Sequence, residues 1–410
     1  MVGLAGIAIA TLTPMRDARG LVLLTPLTCL VCGDRGGADI AVNLLLFLPL
    51  AIGLRLSGQS WLRTVLVAAA VSFTVESLQL TVVPGRDASL SDLLSNTTSG
   101  AIGATIGAFL PRALAPSRRL AFILLAGGVA FVLALLALSA WLLSPDIPEG
   151  RFISRWALPS KPLVFGGRVR AVRLDGVPMP AEGSPPDSAA LRRRLDGGSL
   201  TLEAEVVSGA PMMDASYIYL FSVPSGDALT LTQLERHAAV QLPARALRYR
   251  FRPPSVSLAD GLPSAPGLPV RLLATEHRHR VGLTSEYAGA VRSVEFAISP
   301  AYGWTMLLPF DLAVGPGTRW ITTLCLAALF FPLGYWEAWT RRPLAGAGAL
   351  AGALLLAFTV LPEVASFPPV HWSEWLGGVL GAAAGWAVQR PAAYLQRRCA
   401  SPSGSEFSSS

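Results

Sequence analysis

Seven stretches of the chain stay apolar long enough to predict membrane spans. Leu120 to Leu143 is the clearest, 24 residues without a charge, enough to cross ~30 Å of hydrocarbon. Thr64 to Val83 follows with one interruption, Glu76. Leu93 to Leu110 is rich in small residues, and Ile40 to Leu54 is a shorter run led by Gly36 and Gly37. Beyond a long central segment come Trp320 to Tyr335, Leu344 to Leu361 and Trp375 to Val388. Val2 to Leu12 is an eighth, incomplete candidate. It lacks a basic n-region and a small-residue cleavage site, so it does not read as a cleaved signal.

Between residues 151 and 310 the period changes from runs to alternation. Ser199 to Val206 places Leu200, Leu202, Ala204 and Val206 on one face. Tyr217–Val223, Ala228–Leu234, Ala238–Leu242, Leu247–Phe251, Val270–Thr275, His279–Leu283 and Ser293–Ile298 follow as short runs between Pro, Gly, Asp and Ser turns. This pattern predicts an antiparallel β-sandwich. In it Leu247, Tyr249 and Phe251 would point inward and Arg248, Arg250 and Arg252 outward, as a solvated arginine face. His277 and His279 would share a strand face without a third metal ligand. Tyr302-Gly303-Trp304 and Pro309-Phe310 suit a membrane-surface aromatic belt.

The charges sharpen this division. Of 59 formal charges, 35 lie between Ser144 and Arg319, and the whole chain has 14% charged residues against about 25% in soluble proteins. A fully soluble enzyme, a disordered chain and a disulfide-stapled secreted module are thereby excluded. Arg55, Arg63, Arg112, Arg118, Arg119, Arg341, Arg342, Arg390, Arg397 and Arg398 fall on one side of alternating spans. The opposite short loops hold only Arg16, Arg19, Arg35 and Arg86. Positive charge marks the cytoplasmic side, so the insert is expected outside the cytoplasm. The pI near 9.7 then reflects topology and implies no nucleic-acid partner.

The flanking apolar halves resemble each other. Leu46-Phe-Leu-Pro-Leu50 parallels Leu329-Phe-Phe-Pro-Leu333, Phe73-Thr-Val75 parallels Phe358-Thr-Val360, and Gly100, Gly103 and Gly107 share their spacing with Gly378, Gly381 and Gly385. Three elements in the same order predict a parallel three-helix repeat. The expected fold is a polytopic α-helical membrane protein of seven to eight transmembrane helices with an inserted extracytoplasmic antiparallel β-sandwich. Its parts are a transmembrane bundle at 1–143, the sandwich at 144–319, a degenerate second half at 320–390 and a disordered cytoplasmic tail at 391–410.

Acidic and amide side chains within spans are costly in lipid and mark candidate sites. Glu76 and Gln79 share a helix face. Asp39 with Asn43, and Asp92 with Asn96, are spaced four apart at the starts of two other helices. Arg86 and Asp87 occupy the intervening loop, so all eight fall at one level near the outer surface. The bland alternative is helix glue worth roughly 0.6 to 2 kcal/mol per group. Chemically, Glu76 and Asp92 would serve as general base and acid while Arg86 holds an anion. No nucleophile motif, phosphate loop or metal set accompanies them, so an enzyme is the secondary reading.

Asn43-x-x-x-Phe47-x-Pro49-Leu50, Glu76-x-x-Gln79, Arg86, Ser91-Asp-Leu-Leu-x-Asn96 and the Gly100/Gly103/Gly107 run resemble the VanZ-like family over residues 38 to 111. Ala51 stands where that family has Gly. The resemblance implies a bacterial inner-membrane protein concerned with the cell envelope, in a family named for teicoplanin resistance, and no particular reaction. The second copy has Leu326 and Leu361 at the places of Asn43 and Glu76, with Glu374 near the place of Asn96, and reads as scaffold. The stretch Ser199-Leu-Thr-Leu-Glu-Ala-Glu and the insert's length resemble a concanavalin-like jelly roll of the laminin-G kind. That resemblance implies glycan or protein binding, at times with calcium, for which no ligands can be placed here. The expected partners are membrane lipids and an envelope saccharide or peptidoglycan component, with no cofactor. Cys29 and Cys32 form a C-x-x-C in the first external loop, where a structural disulfide is permitted, and no other pair completes a zinc site.

Overall fold

The computed structural model describes residues 2–13, 28–31, 35–83, 88–146, 152–157, 164–185, 187–196, 199–223, 226–308, 312–340 and 342–400. They fall into two compact units. One is Met1–Leu110 with Trp141–Ile298 and Tyr302–Gly315, the other Pro111–Ala140 with Ser299–Ala301 and Pro316–Ser410.

The first unit opens with α1 (Val2–Leu12), α2 (Gly36–Leu46), α3 (Leu48–Leu56), α4 (Trp61–Thr81) and α5 (Leu90–Leu114), after which α6 (Arg118–Leu143) begins. One apolar run is split into α2 and α3 at Phe47, because Pro49 has no N–H to continue the ladder. Ser60 caps α4 by accepting from the N–H of Arg63 at 3.3 Å. Ile7, Phe47, Leu50, Ala68 and Val75 form the buried core of this helical part. The structure thus gives α1 a packed place that its short length left open.

The insert holds two sheets. Its strands are β1 (Ile153–Trp156), β2 (Arg168–Leu174), β3 (Val177–Pro178), β4 (Glu182–Gly183), β5 (Ser199–Val207), β6 (Met212–Val223), β7 (Gly226–Glu235), β8 (His237–Gln241), β9 (Ser255–Leu258), β10 (Pro269–His277), β11 (Arg280–Tyr287), β12 (Ala290–Ala297) and β13 (Ala313–Val314). A short helix, α7 (Ser188–Asp196), precedes β5. The orders are β13-β9-β8-β7-β6-β1-β4 and β12-β11-β10-β5-β2-β3, all neighbours antiparallel except β13 with β9. Leu200, Leu202, Ala204 and Val206 are buried and lie opposite Glu276, Ala274, Leu272 and Val270 of β10. This apolar face and the two sheets fit a β-sandwich.

Two expectations for the insert fail. Residues 245–249 form a 3₁₀ helix, not a strand, and Arg250 closes it in the left-handed region at φ 56°. Arg245 and Arg248, one 3₁₀ turn apart, both reach Asp146, Nε at 3.1 Å and Nη2 at 2.7 Å. That double ion pair, followed by Pro253 and Pro254, outweighs the alternating pattern. Nor do His277 and His279 share a strand face. The β10–β11 hairpin turns on Arg278 and His279, with φ of 47° and 62°, as a two-residue turn with both φ positive requires. His279 is buried there.

The second unit contains α6 from Arg118 to residue 140, α8 (Thr318–Thr340), α9 (Pro343–Leu355), a π-helical turn over 356–360, α10 (Leu361–Val364) and α11 (Trp372–Ala400). Leu125, Val132 and Leu136 pack on Leu326, Phe330, Leu333, Ala353 and Phe358. Among the described residues five helical stretches are long and apolar enough to cross a membrane: Gly36–Leu56, Trp61–Thr81, Arg118–Leu143, Thr318–Thr340 and Leu344–Val364. α5 and α11 cover the other two predicted spans as helices.

The glycine pattern acquires a physical meaning. A Cβ on Gly100 would meet Ala68 of α4, and on Gly103 it would lie 2.6 Å from that of Ala51 in α3. On Gly378 it would meet Leu354 and Phe358, and on Gly381 the backbone of Ala327 in α8. Within each half the third helix therefore turns its first glycine to the second helix and the next to the first. Only glycine permits such approach.

Candidate functional site

Four of the eight predicted polar residues converge where α2, α4 and α5 meet. The Asn43 Nδ2 donates to Asp92 Oδ1 at 2.8 Å. Glu76, buried in α4, accepts from the backbone N–H of Ser89 at 2.8 Å. One turn from Glu76 on the same face, Ser72 accepts from the Asn96 Nδ2 at 3.0 Å. Asn96 is 1% exposed, and its Oδ1 accepts from no donor among the described residues. Ser99 ties the arrangement to α2 by donating to the Leu44 carbonyl at 2.6 Å.

The other four separate. Gln79 turns toward α1, donating to the Thr11 carbonyl at 2.9 Å, while its buried Oε1 also lacks a donor among the described residues. Asp39 occupies the first turn of α2. Arg86 and Asp87 lie outside the described residues. Sequence reasoning missed Ser72, Ser89 and Ser99. The signal for Ser72 was its four-residue spacing from Glu76, whereas Ser89 acts through its backbone and carries no signal.

Chemically the cluster is rich in acceptors. Two carboxyls and the Asn96 amide oxygen, which meets no donor among the described residues, suit a ligand that brings O–H or N–H groups. A buried acceptor without a donor costs about 1–3 kcal/mol, so such a ligand or water would gain what the protein leaves unmade. No group of three or more His, Cys, Asp and Glu side chains among the described residues is arranged to hold a metal ion. Cys29 is disulfide-bonded, and Cys32 lies outside the described residues.

Residues 5–113 match the VanZ/LLP1 family model. The VanZ-like stretch runs from α1 almost to the end of α5 and contains all eight candidates. No curated protein and no solved structure matches the chain. The VanZ-like domain and the apolar helices together describe a multi-pass membrane protein, and the domain points to a cell-envelope or resistance-related role.

The second half has a polar cluster of its own around Glu374. Glu374, 2% exposed, accepts from Ser299 Oγ at 2.7 Å and from the His371 N–H at 3.3 Å. His371 faces Ser373 Oγ at 2.9 Å through Nδ1 and Arg319 at 3.3 Å through Nε2. Burial and then the Arg319 charge lower the His371 pKa. Nδ1 also accepts from the Ser373 N–H at 3.3 Å. Thr323 Oγ1 donates to the Ser373 carbonyl at 3.0 Å. Both oxygens of the Glu374 carboxyl are paired within the protein.

A further buried acid lies in the insert. Burial lifts the Glu276 carboxyl to about 7, opposed by a hydrogen bond from the His279 backbone. Burial also lowers the His279 ring to about 4.

Proposed function

We propose that this chain is a bacterial inner-membrane protein of the cell envelope whose Asn43/Glu76/Asp92/Asn96 cluster binds a polar, donor-bearing group of an envelope component. The role in view is protection against glycopeptides of the teicoplanin type. The observation that supports the reading is the buried Asn96 carbonyl oxygen, left without a donor among the described residues. Helix glue has no reason to leave that acceptor unmet. Arg86, Asp87, Asp39 and Gln79 complete the proposed ligand set. In the proposed arrangement the insert is extracytoplasmic, a concanavalin-like jelly roll that binds a saccharide or peptidoglycan component and presents it to the cluster. The two-sheet architecture and the resemblance of β5 support this part.

A membrane enzyme acting on lipid-linked precursors is the second reading. It is favoured by Glu76 and Asp92, two carboxyls in one cluster, which would provide the pair that general acid–base chemistry needs.

The test is to express Glu76→Gln, Asp92→Asn and Arg86→Ala in a deletion strain, measuring membrane abundance and growth under glycopeptide stress. Normal abundance with lost protection supports a binding or active site. Loss of the protein itself makes the cluster structural glue and sinks the proposal. Retention of peptidoglycan fragments by the full-length protein tests the sandwich separately.

A further inference from the structure

A groove of about 520 Å³ opens between α6 and α8. Ile123, Gly127 and Phe131 of α6 and Ala328, Pro332 and Trp336 of α8 line it, and its surface is almost wholly apolar. Its volume falls in the roughly 300–1,000 Å³ range of small-molecule sites. Both helices have membrane-crossing length and apolarity, so the groove opens within hydrocarbon. Small residues create it, because Gly127 and Ala328 leave room that a larger side chain would fill, while Gly128 is closed off by Leu333 and Trp336.

One end of this groove is basic. The Arg342 guanidinium lies 5.9 Å from the ring centre of Phe122, the neighbour of groove-lining Ile123. Arg118 and Arg119 form the first turn of α6, one turn below Phe122 and Ile123. Trp336 donates through Nε1 to the Ala113 carbonyl at 3.1 Å, which brings Arg112, the residue before Ala113, to the same end. All four arginines are exposed, and none forms an ion pair among the described residues. An apolar slot at hydrocarbon depth with unpaired cations at one mouth has the complementarity of a phospholipid, chain below and phosphate above. Basic pockets between membrane helices are a recognised kind of anionic-headgroup site.

We infer that the α6–α8 groove is a binding site for one anionic phospholipid, its acyl chain along Gly127 and Ala328 and its phosphate among Arg112, Arg118, Arg119 and Arg342. This site is separate from the VanZ-like cluster, and its failure leaves that reading untouched.

The test is native mass spectrometry of the full-length protein after exchange into phosphatidylglycerol or phosphatidylcholine. The wild type should retain one phosphatidylglycerol about tenfold better than phosphatidylcholine. Gly127→Leu fills the groove without a clash, since a Cβ there meets nothing within 4 Å, and Ala328→Leu fills it from the other wall. Either should abolish retention with the melting temperature unchanged. The triple variant Arg118→Gln, Arg119→Gln, Arg342→Gln should keep a bound lipid but lose the preference. Equal retention of the two lipids by the wild type overturns the site. Undiminished retention by both filling variants overturns it as well, reducing the arginines to a diffuse surface attraction.

Discussion

Replacing Glu276 by Gln should stabilise the insert at neutral pH and leave it unchanged in acid. Glu276 stands on the buried face of β10 opposite Leu200, and burial raises its carboxyl from 4.5 to about 7. Between those values the unfolded chain gives up a proton that the folded chain keeps. Stability therefore falls as pH rises through the folded value. A displacement of roughly 2.5 units corresponds to about 3 kcal/mol, fully developed above pH 7. His279 works in the opposite sense. Its ring is lowered from 6.5 to about 4, so stability is lost as pH falls through that window. The two slopes cancel between about 4.5 and 6.5 in the wild type. Glutamine keeps the acceptor for the His279 N–H and removes only the titration. The difference between variant and wild type should then grow from near zero at pH 4.5 to about 3 kcal/mol at pH 7.5. For a domain of this size that is roughly 6–12 °C in melting temperature. Thermal melting of the full-length protein in mild detergent, followed by the β-sheet circular dichroism signal, reads it directly. A difference that does not change with pH would refute the reasoning, because only the carboxyl's proton can make it change.

Asp146→Ala removes the common partner of Arg245 and Arg248 and should cost about 1–3 kcal/mol; limited trypsin digestion should then cut at Arg245 and Arg248, with Asp146→Glu largely resistant. Gly381→Val drives a side chain into the Ala327 backbone and should lower melting by the equivalent of at least ~1–3 kcal/mol, while Gly352→Ala, with open space around it, should not.

The helices that were legible in the sequence are those whose burial by lipid or protein makes them apolar on every side. Leu120–Leu143 is one, realised as α6. The alternation in β5 was equally plain, because one face meets the core and the other meets water. The arginine run after Ala244 was misleading. Alternating Arg with Leu, Tyr and Phe mimics a strand, and only Asp146, far away in sequence, reveals a 3₁₀ turn. Short strands β1, β3, β4, β9 and β13 carry too few positions to show a period. In the candidate site, Asn43, Glu76, Asp92 and Asn96 were legible because polar side chains stand out against apolar helices. The Glu374 cluster was not, since it is assembled from the start of α11, the loop before it and Ser299, two residues past β12. Such contacts leave no spacing to read.

The bond that holds Glu76 comes from the peptide of Ser89, while the hydroxyl of the same residue accepts from the N–H of Ser91 at 3.1 Å. One residue thus fastens the carboxylate to the opening turn of α5. Mutational drift at position 89 can discard the hydroxyl and still leave Glu76 held, because every amino acid except proline supplies the N–H. Proline is the one substitution there that would cut the carboxylate loose by removing a hydrogen atom rather than a side chain.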